Sequence, residues 1–242
     1  MGKDNGIEEK KVGMEKAAVN IIYEDNHLLV VEKPVNILSQ GDSTGDADML
    51  GILKDYIKNK YNKPGNVYLG LVHRLDRPVG GTMVFAKTSK AASRLSDEIR
   101  RGEFKKTYLA VVHGALQKKS GRMEHYLLKD TKTNMVRAVK ETNKAAKIAI
   151  LEYKTLASKE NLSLVSIDLL TGRPHQIRVQ FSAAGTPLFG DQRYGKSLNK
   201  AGWQIALWSS VITCSHPTLK ERMIFRSLPP DTYPWNLFTG LF

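Results

Sequence analysis

The sequence predicts an α+β fold: a mixed, largely antiparallel central sheet flanked by helices. Three observations predict it. Short β-rich runs recur along the chain, divided by turn-forming residues. Three stretches carry apolar residues at helical spacing. With 41% hydrophobic residues among 242, the chain can build a sizeable core, and no repeat, low-complexity block or linker divides it. The expected organisation is a flexible leader over residues 1–18 and a single domain over 19–242.

Ile21–Tyr23 and Leu28–Glu32 read as a hairpin turned by Glu24-Asp25-Asn26-His27, and Pro34 closes the second strand because it cannot donate a ladder hydrogen bond. Asp48 can cap a helix from Met49 to Lys60, with Leu50, Leu53, Tyr56 and Ile57 at helical spacing. Val67–Val72 and Thr82–Ala86 are strand-like. Ala91–Arg101 is helical, with Gly102 in the stop position. Thr107–Val112, Gly121–Leu128, Val136–Val139, Lys147–Leu156 and Ser163–Leu170 read as successive strands. Pro174 suits the first turn of a helix that reaches Ala184 and ends at Gly185. Ile205–Ser209 and Met223–Ser227 are late strands before the Pro229-Pro230 break.

Composition excludes several classes. One cysteine, Cys214, rules out an internal disulfide framework and a zinc site of paired thiolates. No apolar run approaches the ~18 to 20 residues of a membrane helix, and residues 1–18 lack the apolar stretch of a secretory signal. The six histidines show no metal-ligand spacing, and neither a P-loop nor a G-x-G-x-x-G fingerprint is present, so no metal and no nucleotide cofactor is expected. A cytoplasmic protein follows, with a monomer expected and no membrane partner.

The net charge of +13 is concentrated: Lys87 to Lys147 hold 16 basic and 6 acidic residues, while residues 1–50 are net negative. Such a stretch fits a polyanion partner, or a solvated basic face that keeps the chain soluble.

Two clusters carry the chemistry. In His73-Arg74-Leu75-Asp76-Arg77-Pro78, a carboxylate leaves a strand end near Gly80-Gly81, where a ligand can approach closely, and Arg74 and Arg77 flank it to hold it ionised. In Thr171-Gly172-Arg173-Pro174-His175-Gln176-Ile177-Arg178, His175 and Arg178 fall at i, i+3 on one helix face, at a helix start suited to phosphate, while Ile177, Phe181 and Ala184 mark a buried face. Arg178 can alternatively reach inward to a buried carboxylate. Taken singly, these segments also read as a surface ion-pair cluster and an amphipathic helix. Tyr108, inside a β run, reads as a core residue, and Gly185–Gly195 as a turn-rich loop.

Taken in order, these segments resemble the RluA-type pseudouridine synthase family, from Ile21 to about Ser227. YEDNHLLVVEKP (23–34) resembles its opening hairpin, LVHRLDRPVGGTMVFAKT (71–88) its nucleophile motif, KKTYLAVVHG (105–114) its tyrosine strand, and TGRPHQIRVQFSAAGTPLFGDQRYG (171–195) its third motif. The resemblance implies the pseudouridine synthase fold and an isomerase that detaches uracil from C1′ through N1 and rejoins it through C5, with no cofactor. It implies Asp76 as the essential carboxylate, Tyr108 against the uracil and a candidate base at the sugar, and Arg178 as the partner of Asp76. The target uridine, in structured ribosomal or transfer RNA, must flip out of its stack, and Arg74 can fill the vacated space. His73, Arg74, Arg77, Arg173 and His175 are the expected RNA contacts. Departures fall at Val79-Gly80, where the family often has Thr-Ser, and at Gln180, where it often has a second histidine. The competing reading is a non-catalytic RNA-binding or RNA-folding protein on the same scaffold; the joint presence of Asp76, Tyr108 and Arg178 favours the enzyme.

Overall fold

The fold starts at a carboxylate. Asp25 accepts the backbone N–H groups of His27 and Leu28 at 2.7 and 2.6 Å, closing the turn between β1 (Asn20–Glu24) and β2 (Leu28–Lys33). The computed structural model describes residues 19–242, so the leader expected over 1–18 lies outside the described residues. Asp48 caps α1 (Met49–Lys60) by accepting from the N–H of Gly51, as its position in the sequence leads one to expect. β3 (Gly70–Leu71) and β4 (Gly80–Ala86) follow. Thr88 then caps α2 (Ser89–Arg100), and Gly102 ends it at φ 72°, where a Cβ is disfavoured.

The remaining strands are β5 (Lys105–His113), β6 (Ser120–Asp130), β7 (Met135–Val139), β8 (Lys147–Lys159) and β9 (Leu162–Leu169). After α3 (Gln176–Ala183) come β10 (Leu207–Ser215) and β11 (Arg222–Arg226). They form one 11-stranded sheet in the order β1-β2-β4-β10-β5-β9-β8-β6-β7, with β11 on β10 and β3 on β4. Among the strand pairs of the described residues, only β4 and β10 run parallel, joined at Trp208–Gly80 and Ser209–Gly81. The sheet is therefore mixed and largely antiparallel, and the fold class is the α+β one that the sequence predicts.

Burial follows the strand and helix periods. Met49, Leu53 and Ile57 of α1 and Ile177 and Phe181 of α3 share one core with alternate residues of β2, β4, β5 and β9. Ala91 and Leu95 of α2 cover the opposite face of β2 and β4. Trp235 and Phe238, near the C-terminus, pack on Leu109, Val111 and Leu164. Among the described residues, no helix is long and apolar enough to cross a membrane.

Four expectations change. The strand read over 67–72 shrinks to Gly70–Leu71, which pair with Phe85–Ala86; nearer its start that edge of β4 is met by β10 at Gly80–Gly81, and in between side chains bond it, Ser209 at Thr82 O and His73 at the Val84 N–H. The strand read as ending at Ser209 continues to Ser215. A register shift between Ser209 and Val211 leaves Ser210 as the extra residue, and the hydroxyls of Ser209 and Ser210 donate to Thr82 O and Ser227 O. The helix read from Pro174 starts only at Gln176, and Ala184 is exposed. His175 stands just outside it in the left-handed region, at φ 51° and ψ 21°, so His175 and Arg178 are not i, i+3 neighbours on a helix face.

Gly80 and Gly81 also serve a different purpose. A Cβ at Gly80 would stand 2.2 Å from the Trp208 ring, and one at Gly81 2.4 Å from Ser209 O. The close approach these glycines permit is that of β10, not of a ligand.

Candidate active site

Asp76 lies in the segment between β3 and β4, and several anchors fix that segment. The Ser39 hydroxyl donates to Leu75 O at 2.7 Å and accepts from Leu75 N at 3.1 Å. Lys33, fully buried, donates through Nζ to Pro34 O and Arg77 O at 2.8 and 3.0 Å. Burial pushes this lysine down to about 7, the charge of Asp76 acting against that push. The N–H of Val79 bonds to Asp76 O at 3.0 Å, closing a turn that rotates Arg77 outward. The carboxylate is thus carried on a held backbone, with its side chain 27% exposed to a cleft of about 1220 Å³.

Arg178 reaches inward to it, and a second carboxylate holds that arginine. Its NH1 donates to Asp76 Oδ2 at 3.1 Å, while Nε and NH2 form a two-pronged pair with Asp191 at 2.8 Å each. Asp191 is buried and also accepts the N–H groups of Arg193 and Tyr194 at 3.0 and 3.1 Å. Burial alone would lower the guanidinium's pKa; the bonds and charges of Asp191 and Asp76 overcome it and raise it. Asp191 is the main residue of this cluster that the sequence reading misses. Its signal is the lone acid inside GTPLFGDQRYG, a loop read only for its glycines. Lys33 is also missed, although it sits at an inward position of a strand whose other inward residues are apolar.

Tyr108 comes from β5 and lines the same cleft. Burial and then the charge of Asp76 push its phenol up, against a smaller opposite effect of Ser209, so the neutral form is held. Asp76, Tyr108 and Arg178 are therefore brought together from three distant parts of the chain.

The other expected residues divide. Arg74 is exposed at the cleft, and no hydrogen bond ties its guanidinium among the described residues. Arg173 lines the cleft with Nε bonded to Ile148 O at 2.9 Å. His175 points at Asp76, Nε2 to Oδ2 4.0 Å. Arg77 does not hold the Asp76 carboxylate: Nε donates to Asn36 O, and NH1 pairs with exposed Asp46 at 2.6 Å. His73 serves the fold. Its Nε2 accepts the N–H of Val84 at 3.0 Å, its ring packs on Phe104, and burial beside Lys106 pushes it down to about 3. Gln180, where a second histidine was a family alternative, is buried and donates to Met123 O and Ala149 O.

The arrangement is that of a carboxylate and a phenol in a cleft whose rim carries Arg74, Lys105, Lys129 and Arg193. The fold has close solved counterparts. A human RNA pseudouridylate synthase domain-containing protein 4 superposes with a TM-score of 0.74 at 21% identity, covering 87% of this chain and 88% of that one. A human domain-containing protein 1 of the same kind gives 0.71 at 22% identity, over 90% and 86%. Fold and cleft together define the class, a pseudouridylate synthase fold.

Sequence makes the assignment specific. Residues 27–183 match the family profile described as RNA pseudouridylate synthase. The chain is 34% identical over 223 residues to an uncharacterized RNA pseudouridine synthase of Bacillus subtilis, spanning 90% of this chain and 70% of that protein. It is 37% identical over 229 residues to the ribosomal large subunit pseudouridine synthase C of Buchnera aphidicola, spanning 92% and 70%. The chain belongs to the RNA pseudouridylate synthase family and is an isomerase acting on RNA.

Proposed function

We propose that this enzyme converts a specific uridine in structured ribosomal or transfer RNA to pseudouridine, with the nucleoside flipped into the cleft and Asp76 as the essential carboxylate. The observation that carries the reading is the 3.1 Å pair between Arg178 and Asp76, open to the cleft that Tyr108 lines. The reaction breaks N1–C1′, forms C5–C1′, releases the C5 proton to solvent and leaves a proton on N1. Atoms and oxidation state balance without a redox partner.

Asp76 meets the reacting nucleoside, oriented by Arg178. Tyr108 lies against the uracil face. Because its phenol is held neutral, it serves as a base at the sugar only by passing on its own proton in the same event. Extruding the base costs a few kcal/mol of stacking. Arg74, exposed and unbonded at the mouth, fills the gap with a planar group that can stack and hydrogen-bond. Arg173 and those basic residues of 87–147 that line the cleft, Lys105 and Lys129 among them, hold phosphates. All these groups come from one chain, so a monomer carries the complete site.

The test is tritium release from C5-tritiated uridine in cellular RNA, with pseudouridine mapped in RNA from cells with and without the protein. Wild-type enzyme should release tritium and one or a few positions should depend on it. Asp76→Asn should bind the same RNA within a few-fold and release none. Release near the wild-type rate by that variant removes Asp76 from its role; none from wild type on any cellular RNA ends the proposal.

A further inference from the structure

The hydroxyl of Tyr194 lies 3.0 Å from the backbone N of Val136 in β7 and 2.7 Å from Nδ1 of His175. A backbone N–H can only donate, so the phenol oxygen accepts there, which leaves its single hydrogen free to be given to Nδ1. With Nδ1 accepting, the ring proton is fixed on Nε2. Nε2 faces Asp76 Oδ2 at 4.0 Å, the same oxygen that takes the Arg178 bond at 3.1 Å. Among the described residues Oδ1 accepts no hydrogen bond.

A second observation is independent of the first. His175 sits at φ 51° with a side chain that does not cap α3. A left-handed non-glycine residue is strained, and such strain clusters where a side chain must be aimed. Here the strained backbone directs the imidazole back toward the carboxylate. Tyr194, which sets the tautomer, is itself held: its N–H bonds to Asp191 and its ring lies 5.1 Å from the Arg178 guanidinium.

We propose that His175 is a positioning residue: its Nε2–H, fixed by the Val136–Tyr194 link, restrains Oδ2 of Asp76 together with Arg178 and leaves Oδ1 as the oxygen presented to the nucleoside. At 4.0 Å the contact is electrostatic, and about 1 Å of closure makes it a hydrogen bond. The inference rests on the proposed role of Asp76.

The test compares His175→Asn, His175→Gln and Tyr194→Phe. Asparagine tolerates the left-handed backbone and can meet Tyr194, but its amide is too short to reach Asp76. Glutamine can place an N–H near the Nε2 position. Tritium release from C5-tritiated total RNA, taken from cells lacking the protein, gives kcat and KM. For His175→Asn, kcat should fall about tenfold to a hundredfold with KM within about threefold, and His175→Gln should recover most of the loss although it is no more stable. Nitrogen-15 NMR of histidine-labelled full chain, with His175 assigned by its loss in the variant, should show the Nε2–H form in wild type and a mixture in Tyr194→Phe. Near-wild-type kcat for folded His175→Asn, a folded His175→Gln no faster than His175→Asn, or an Nδ1–H tautomer in wild type overturns the proposal. A wild type that releases no tritium strikes the function proposed above instead, and the tautomer then decides this inference.

Discussion

Replacing Asp191 by asparagine tests the claim that the cleft arginine, Arg178, is held from behind. The carboxylate accepts four hydrogen bonds: Arg178 Nε on Oδ2, and Arg178 NH2 with the Arg193 and Tyr194 N–H groups on Oδ1. Asparagine can keep its oxygen at the Oδ1 position, where three donors converge. Its NH2 group then faces the Nε–H of Arg178, donor against donor, and the buried guanidinium loses its nearest counter-charge. Leaving one member of a buried pair uncompensated costs about 3–5 kcal/mol. In a domain of this size each kcal/mol moves Tm by roughly 2–4 °C. Asp76→Asn acts on the exposed side of the same arginine, where the carboxylate's side chain is 27% exposed and Asp191 still holds the guanidinium, so its stability cost should be smaller. Urea unfolding followed by fluorescence of Trp203, Trp208 and Trp235 measures both variants, and tritium release measures turnover. Asp191→Asn should be the less stable variant, with turnover reduced as Arg178 loses its orientation. A stability within about 1 kcal/mol of wild type, or a larger loss for Asp76→Asn, refutes the reasoning.

Other outcomes follow from the same geometry. Gly81→Ala should destabilise by about 3 kcal/mol or more, or yield no folded protein, since the added Cβ meets Ser209 backbone at φ 113°, whereas Gly102→Ala, at φ 72° with open space, should cost only about 1 kcal/mol; thermal melts rank the two. Lys33 has a folded pKa near 7, below its unfolded value, so wild type binds fewer protons folded than unfolded above that pH, and its stability should rise relative to Lys33→Met from pH 7 toward 10, by up to about 1.4 kcal/mol per pH unit. A flat difference between the two denaturation series contradicts the assignment. Lys129→Gln, at the cleft rim, should lower the slope of log affinity for RNA against log salt by about 0.7–0.9 if it meets one phosphate, and an unchanged slope removes it from the interface.

Most elements are legible in the sequence because their causes are local. Asp48 caps α1 and Gly102 ends α2 through bonds and dihedrals spanning three or four residues, and β5, β6, β8 and β9 follow runs of β-branched and aromatic residues. The candidates Asp76, Tyr108, Arg178 and His175 stand out as chemistry-bearing types in short motifs, and all reach the cleft. Less legible is whatever depends on a neighbour far along the chain. The sequence reading lets Arg74 and Arg77 flank Asp76, but a turn sends Arg77 to Asp46; the partner is Arg178, which the family resemblance implies and local spacing does not. His73 looks like a ligand contact in its motif, yet the N–H of Val84 claims its Nε2.

The sequence by itself determined the kinds of element, most of their ends and the residues able to carry chemistry, because caps, turns and periodicity act over a few neighbouring positions. Only the tertiary structure decided the strand order, the service of Gly80 and Gly81 to β10, the choice of Asp191 as the counter-charge and the placement of His175 between Tyr194 and Asp76. Those follow from burial, which favours pairing a polar group with whichever partner the fold brings within about 3 Å, and for Arg178 and Asp76 that partner lies 102 residues away.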